Sequence, residues 1–177
     1  MLSWVLGDEP ADIRFNLSRH LQGSAFDCDI VIIDAPPRMS TAMVQALVAS
    51  THVLIPSQLN RVSGEATVYF ARVLKSVLTS NLNPQLQFLG VVPNMVAEST
   101  GFRAIEIAEM NQLDTEIRKL FPGVDAVWRE APIYDRVALN RPKLVTSPGA
   151  DQGTRDALAA LTRLADTIRV RVGLEAR

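Results

Sequence analysis

Three polar residues follow the ends of apolar runs in this 177-residue sequence: Asp34, Gln58 and Asn94. An acid that closes a run of four apolar residues is well placed to hold Mg²⁺ through water, or to orient an attacking water beside a nucleotide. Taken alone, Asp34 is more simply explained as a solvated turn residue or a helix cap. Asn94 could hydrogen-bond the edge of a base, although a loop asparagine more often turns the chain.

The other reactive residue types indicate no second chemistry. The single cysteine, Cys28, excludes an intrachain disulfide framework, and His20 and His52 stand too far apart for metal-ligand spacing. The 18 basic and 19 acidic residues nearly cancel, so any nucleic-acid contact would be local. The apolar stretches fall below the roughly 18 residues that suggest a membrane span. These features predict a cytoplasmic protein with no membrane partner.

Strands and helices alternate along the sequence in the order that would position these polar residues. Apolar runs predict strands over 29–34, 52–56 and 88–92. Helical spacing predicts helices over 8–23, with Asp8 as cap and Gly23 as stop, and over 40–50, 101–121 and 152–172. A further helix begins at a Ser63 cap, and its expected apolar face comprises Ala66, Phe70, Val73, Leu74 and Val77. The expected apolar face of the last helix comprises Leu158, Leu161, Ala165, Ile168 and Val172.

This alternation predicts an α/β fold with a mainly parallel sheet and helices on both faces. A chain with 47% hydrophobic residues and no linker or repeat predicts a single domain over 1–177. The proline-rich stretch 122–152 is predicted to be a long connection, and such connections are usually functional or disordered. Ligands of open α/β sheets bind at the carboxyl ends of the strands, which is where Asp34 and Asn94 fall.

Residues 26–37 carry an aromatic residue, an acid, an apolar strand and then Asp-Ala-Pro-Pro. This order strongly resembles the second signature of the ParA/MinD family of partitioning and positioning ATPases, which are P-loop NTPases of the deviant-Walker class (CobQ/CobB/MinD/ParA). Weaker matches follow in the family's order, and the resemblance runs from about residue 26 to 165. They are Leu47 to Gln58, Ser63 to Glu65, Leu89 to Asn94, Arg129 to Pro132, and Arg141-Pro142.

The resemblance implies roles for individual residues. Asp34 would be the switch-type acid near Mg²⁺, held through water, and near the hydrolytic water. Pro36 and Pro37 would shape the loop that senses the γ-phosphate. Asn94 would touch the adenine, and the segment around Pro132 would wall the base. The implied cofactors are ATP and Mg²⁺.

One part of such a site has no counterpart in the sequence. A phosphate-binding loop needs a Gly-x-x-x-x-Gly-Lys array, and each of the lysines, Lys75, Lys119 and Lys143, follows a residue other than glycine. The resemblance places that loop upstream, so we expect an N-terminally incomplete ATPase domain that binds ATP and Mg²⁺ only when the loop is supplied. Without the loop's strand, residues 29–33 would be an exposed apolar edge.

Three functions are consistent with these observations. The first is a ParA-like ATPase that acts in plasmid or chromosome partitioning, or in intracellular positioning, through a nucleotide-dependent homodimer and a ParB-like centromere-binding protein or other adaptor. The second is a non-catalytic relative, a pseudo-ATPase that serves as a protein-interaction module. The third is a superfamily relative acting on a small carboxylate, as in cobyrinate or dethiobiotin synthesis.

The last predicted helix bears on the choice of partner. Its arginines could form a local surface for nonspecific DNA and a nucleoid association, or a solvated face. They are Arg155, Arg163, Arg169, Arg171 and, just beyond, Arg177. A membrane-targeting helix is not predicted, because the terminal apolar stretch is short and is broken by Gly173.

Overall fold

The computed structural model describes residues 13–23, 27–36, 39–97, 101–135 and 152–174. A 3₁₀ turn, Ile13–Phe15, precedes helix α1. The regular elements are α1 (Asn16–Gly23), α2 (Thr41–Ala49), β1 (His52–Gln58), α3 (Arg61–Thr79), β2 (Gln87–Asn94), α4 (Ala104–Leu120) and α5 (Gln152–Arg171). The strand–helix–strand order β1–α3–β2, with β1 and β2 adjacent in one sheet, confirms the α/β class. No described helix has the length and apolarity that crossing a bilayer requires.

The chain falls into two compact units. Unit 1 comprises Met1–Val53 and Arg72–Phe88, and unit 2 comprises Leu54–Ala71 and Leu89–Arg177. Three elements, β1, α3 and β2, contribute residues to both units. The single domain expected from composition stays a prediction.

Unit 1 is built around α2, whose first turn is capped by Ser40: its hydroxyl accepts from the Met43 N–H at 3.3 Å. Buried Val44 and Val48 pack against partly buried residues from three other segments, namely Phe15, Met39 and Leu82. At the other end of the helix, the Asn83 amide donates to three backbone carbonyls, those of Leu47, Val48 and Ser50. These bonds satisfy carbonyls that the end of a helix leaves without intrahelical partners.

The core of unit 2 lies under α5. Fully buried Trp128 clusters with Val92, Ile133 and Ala160. Partly buried residues of β1, β2, α5 and the chain after Ile133 surround this cluster, namely Leu54, Leu89, Tyr134, Leu161, Leu164 and Ile168. Trp128 is completely buried, which makes it a packing residue of this core.

The register of α5 differs from the prediction. Leu158 is exposed and so is Ala165, whereas Thr154, Ala157 and Ala160 are buried. The inward stripe therefore runs 154, 157, 161, 164 and 168, rotated from the predicted stripe by about one position. Small residues occupy the most buried positions, so the first turns of the helix can approach the core closely.

Two predicted details of α3 are also wrong. Asn60 caps the helix instead of Ser63: its Oδ1 accepts from the Ser63 N–H at 3.0 Å, which places Ser63 inside the first turn. Ala66, expected on the apolar face, is exposed, and Phe70 is half-buried. The expected burial of Val73, Leu74 and Val77 is confirmed.

The predicted strand over 29–34 is absent from the described structure: residues 27–36 form no regular element. Three of its apolar side chains are exposed, Ile30 at 53%, Val31 at 50% and Ile32 at 89%. A strand exists only when a neighbour pairs with its backbone, and the sheet of the described residues holds just β1 and β2. The expected exposure of this apolar run is confirmed, but not its form as a sheet edge. Asp8, the predicted cap of α1, lies outside the described residues, while the end of that helix at Gly23 is confirmed.

Candidate functional site

The carboxyl ends of β1 and β2 in unit 2 carry a chain of side-chain hydrogen bonds. Asn60 Nδ2 donates to Gln58 Oε1 at 3.1 Å, and Gln58 Nε2 donates to Met95 Sδ at 2.9 Å. Met95 has a φ of 53°, in the left-handed region that few non-glycine residues adopt. Such backbone outliers are concentrated at functional sites, and ligands of α/β sheets bind at the carboxyl ends of the strands, so this end of the sheet is the candidate ligand site.

Asn94 is the half-buried last residue of β2. Its Oδ1 accepts a hydrogen bond from the Met95 N–H at 3.0 Å, which fixes which end of the amide is the oxygen. The oxygen keeps a second lone pair, and the amide nitrogen is a donor. An asparagine can therefore present one acceptor and one donor side by side, the pattern that matches N6 and N7 of adenine.

Residues 126–135, here called the bulged segment, run parallel to β2 and beyond its end. Backbone bonds join Trp128 N to Val91 O (2.9 Å), Ile133 N to Pro93 O (2.8 Å) and Asp135 N to the carbonyl of Val96 (2.8 Å). Two single bridges, Val91 to Val127 and Val96 to Tyr134, mark the register.

Between those bridges the bulged segment advances seven residues while the facing chain advances five. From Trp128 to Ile133 the bulged segment advances five residues while their partners Val91 and Pro93 are two apart, so three extra residues bulge out within the stretch 129–132. Beyond Pro93 the facing chain has one residue more, which leaves the net excess of two. Bulges of this kind re-aim side chains next to sites. Because Ile133 pairs with Pro93, the segment around Pro132 lies beside the carboxyl end of β2. The structure thus brings Asn94 and buried Pro132 to the same part of unit 2.

The predicted phosphate-side residues belong to unit 1. Asp34 is exposed and Pro36 is half-buried, both within the irregular stretch 27–36, and Pro37 lies outside the described residues. Within the described ranges no group of three His, Cys, Asp or Glu side chains could hold a metal ion. The roles of Asp34 as Mg²⁺ ligand and of both prolines stay predictions.

Glu106 is a buried carboxylate that the sequence prediction missed. Its carboxylate accepts from the Arg103 N–H (2.8 Å), the Arg103 Nη2 (3.0 Å) and the Ala97 N–H (3.4 Å), so it ties the chain after β2 to the first turn of α4. Burial by itself raises the pKa of Glu106, but the hydrogen bonds from Arg103 and Ala97 together outweigh it and lower that pKa below its usual value. The Arg-x-x-Glu spacing before an apolar run is the signal that could have indicated this capping arrangement.

Replacing Glu106 with glutamine should destabilise the protein at neutral pH by about 1–2 kcal/mol, since charge-assisted hydrogen bonds are lost. A carboxylate whose pKa is lowered by folding stabilises the native state above its unfolded pKa, and the effect is lost as the pH falls through the folded pKa. The difference between Glu106→Gln and the natural protein should therefore shrink below about pH 4. Urea unfolding of both proteins at pH 7 and at acid pH measures this difference in stability. Glu65→Gln, which breaks only the exposed pair with Arg61, should change little at either pH.

A second cluster surrounds Trp128. The Trp128 Nε1–H donates to the Leu89 carbonyl at 2.9 Å, and the Arg171 guanidinium lies 4.1 Å from the centroid of the indole. Arg171 also donates to Glu130 Oε1 at 2.8 Å and to Asp125 Oδ2. Sequence reasoning considered Arg171 only as a candidate DNA contact, because nothing in its spacing indicates partners more than 40 residues away.

Comparisons with known proteins give the same picture of the fold. An AAA-domain family model matches residues 7–88. The chromosome-partitioning ATPase Soj of Thermus thermophilus is 29% identical over 154 residues, which span 81% of this chain and 54% of Soj. The chain therefore covers about half the length of that curated relative.

Two solved structures share the fold at low identity. An ATP complex of Cyanothece McdA gives a TM-score of 0.72 at 12% identity and covers 98% of this chain and 62% of that one. Cobyrinic acid a,c-diamide synthase of Mycobacterium smegmatis, with a bound ATP analog and magnesium, gives 0.64 at 20% identity and covers 95% and 58%. At identities this low, the similarity supports a shared fold and nothing about function.

Proposed function

We propose that this chain is a partial domain of the ParA/MinD type and forms part of an adenine-nucleotide-dependent ATPase that partitions DNA or positions intracellular cargo. The observation that supports the proposal is the pairing of the bulged segment with β2, which brings the segment around Pro132 beside the end of the strand that Asn94 closes. ATP and Mg²⁺ are the proposed cofactors. Asp34 is the proposed Mg²⁺ and water ligand, with Pro36 and Pro37 shaping the γ-phosphate loop.

The proposed base contact discriminates adenine from guanine. Adenine offers a donor at N6 and an acceptor at N7, whereas guanine offers acceptors at both O6 and N7. An asparagine amide presents one donor and one acceptor in either orientation, so it matches adenine but would set its oxygen against an acceptor of guanine. The Met95 N–H bond fixes the position of the Asn94 oxygen and so the orientation of the amide toward the base.

Replacing Asn94 with alanine should lower the preference for ATP over GTP by about tenfold, the loss expected for one well-formed asparagine–adenine pair. Competition of ATP and GTP for a fluorescent adenine nucleotide, measured on nucleotide-binding protein, gives the ratio directly. Asn16→Ala is the matched control, since Asn16 is exposed at the start of α1 and its amide oxygen accepts from exposed Arg19. An unchanged ATP-to-GTP ratio in Asn94→Ala would count against this base site.

A homodimer is the proposed working state, with a ParB-like centromere-binding protein or another adaptor as partner. Three exposed apolar side chains support it because they stand at the carboxyl-end side of unit 2, in or near the first turns of α3 and α4 and just after β2. They are Val62 at 78%, Ile105 at 70% and Met95 at 50% exposure. Exposed apolar residues around a ligand site are typical of surfaces that a partner covers.

Calorimetry with Mg²⁺-ATP tests the proposal as a whole. The 177-residue chain should be compared with a version extended upstream through the reading frame, if that frame continues. Binding by the extended version, with ATP hydrolysis, supports a ParA-like ATPase. If neither version binds ATP, the enzyme proposal fails.

A non-catalytic interaction module is the second candidate function. It is favoured by the exposed run Ile30 to Ile32, where another chain could pair with the backbone and cover the apolar side chains. A stable protein that does not bind ATP but binds an intact paralogue would support this candidate. Nonspecific DNA remains a proposed partner, but Arg171 is already engaged with two carboxylates and an indole, so the arginine surface of α5 is smaller than its sequence implies.

A further inference from the structure

Arg171, the last residue of α5, connects that helix to the start of the bulged segment. Its guanidinium stacks on fully buried Trp128 and donates to the carboxylates of Asp125 and Glu130. The side chain is only 24% exposed. A planar guanidinium can stack and donate along several directions at once, which a lysine ammonium cannot do.

The two carboxylates lie on either side of the indole along the chain. Asp125 immediately precedes the bulged segment, and Glu130 lies within the stretch 129–132, where the three extra residues are accommodated. Trp128 sits between them, anchored by its bond to the Leu89 carbonyl. Arg171 therefore holds the chain both before and inside the bulge.

The stretch that Arg171 holds leads directly into the proposed base wall. Pro132 follows Glu130 by two residues, and Ile133 then bonds with the Pro93 carbonyl beside Asn94. Backbone pairing with β2 fixes the segment at residues 128 and 133. Between these two points side-chain bonds constrain the loop: Arg171 holds Glu130, and Asn111 holds Arg129 at 2.7 Å.

We infer that Arg171 is a positioning residue for nucleotide recognition: by holding Asp125 and Glu130 across Trp128, it sets the conformation of the bulge and thereby the position of the Pro132 wall against the base. The inference rests on the proposed function, because it assumes that the base lies between Asn94 and Pro132. It assigns α5, which is remote in sequence from every predicted site residue, a part in base binding.

Hydrogen exchange on the nucleotide-free full chain tests the holding role by itself. In Arg171→Gln the amides of Ile133 and Asp135 should exchange about tenfold faster, because the bulge opens locally more often. Arg171→Lys should recover only part of the protection, since the charge returns without the stack. Arg163→Gln is the control, a change from an exposed arginine on the same helix, and should leave both amides unchanged. Equal exchange in Arg171→Gln and the natural protein would overturn the inference.

Nucleotide binding tests the functional role. In the version extended upstream, the affinity for Mg²⁺-ATP should fall about tenfold in Arg171→Gln, while the affinity for tripolyphosphate, which has no base, stays the same. If the extended protein binds ATP and its Arg171→Gln variant binds it equally well, Arg171 is merely structural and the inference fails. Equal losses for ATP and tripolyphosphate would also overturn it. If the extended protein without the substitution binds no ATP, the proposed function fails, and the inference about nucleotide recognition fails with it, whatever the exchange data show about the bulge.

Should Arg171→Gln fail to fold, Glu130→Ala replaces it. Glu130 is half exposed, and this change removes one tie while leaving the stack on Trp128 and the contact with Asp125. We expect smaller changes of the same kind: faster exchange at Ile133, and weaker ATP binding with unchanged tripolyphosphate binding. Their absence in a folded Glu130→Ala protein would overturn the inference.

Discussion

Replacing Gly90 with alanine should destabilise the protein by about 3 kcal/mol or more. Gly90 lies in β2 with a φ of +129°, a conformation that residues with a side chain rarely adopt. A Cβ there would lie 2.6 Å from the Asp125 carbonyl oxygen and 2.6 Å from Trp128 Nε1. Neither atom can move aside easily, because one is backbone and the other belongs to a fully buried ring bonded to the Leu89 carbonyl.

Urea unfolding of Gly90→Ala against the natural protein measures the loss. Gly64→Ala provides a matched control because its added Cβ would meet only the end of the flexible Glu109 side chain, which can turn away. Alanine also favours a helix interior over glycine by about 1 kcal/mol, so Gly64→Ala should be neutral or stabilising. If Gly90→Ala lost less than about 1 kcal/mol of stability, Trp128 and its neighbours would have to move aside far more easily than these distances indicate.

Replacing Trp128 with alanine should cost about 3–5 kcal/mol, the usual range for removing a large aromatic side chain from a core. Its side chain is fully buried among Val92, Ile133 and Ala160, and its removal also leaves the Leu89 carbonyl without its indole donor. Because small domains are stable by only about 5–15 kcal/mol, the variant should be close to unfolding at 37 °C.

Thermal and urea unfolding measure this loss of stability. Trp128→Phe separates the contribution of the apolar volume from that of the hydrogen bond. Phenylalanine restores much of the apolar volume but not the hydrogen bond, so we expect an intermediate loss of about 2 kcal/mol. Tyr69→Ala, at a position that is 57% exposed, should change the stability by no more than about 0.5 kcal/mol. Similar losses at Trp128 and Tyr69 would contradict the core that the structure describes.

The elements that could be predicted from the sequence are those whose signals are local. Helix α2 has a serine cap and a continuous apolar run, and β2 has an apolar run bounded by polar residues, so both fall close to where the pattern put them. The predicted ends of β1 and β2, at residues 56 and 92, each lie two residues before the observed ends, Gln58 and Asn94. The family resemblance added Pro132, and the structure does bring it beside the end of β2.

The parts that could not be predicted depend on contacts distant in sequence. The inward face of α5 is set by Trp128 and its neighbours, and a one-position rotation leaves the apolar periodicity almost unchanged, so Leu158 and Ala157 could not be told apart. The Arg171 contacts cross 41 and 46 residues. The run 29–34 has the composition of a strand, but a strand also needs a partner, and composition does not reveal whether the partner is there.

The exposed run after Asp29 also affects how the protein behaves in concentrated solution. Ile30, Val31, Ile32 and Ile33 form a short β-prone stretch without charge, proline or glycine, the kind of segment that stacks between molecules into cross-β aggregates. Asp29 and Asp34 border it on both sides and act as gatekeepers, because stacking would bring like charges together. Asp34 therefore protects colloidal stability in addition to its proposed role at Mg²⁺. Lost activity in an Asp34 variant reflects chemistry only where light scattering shows that the variant has stayed dispersed.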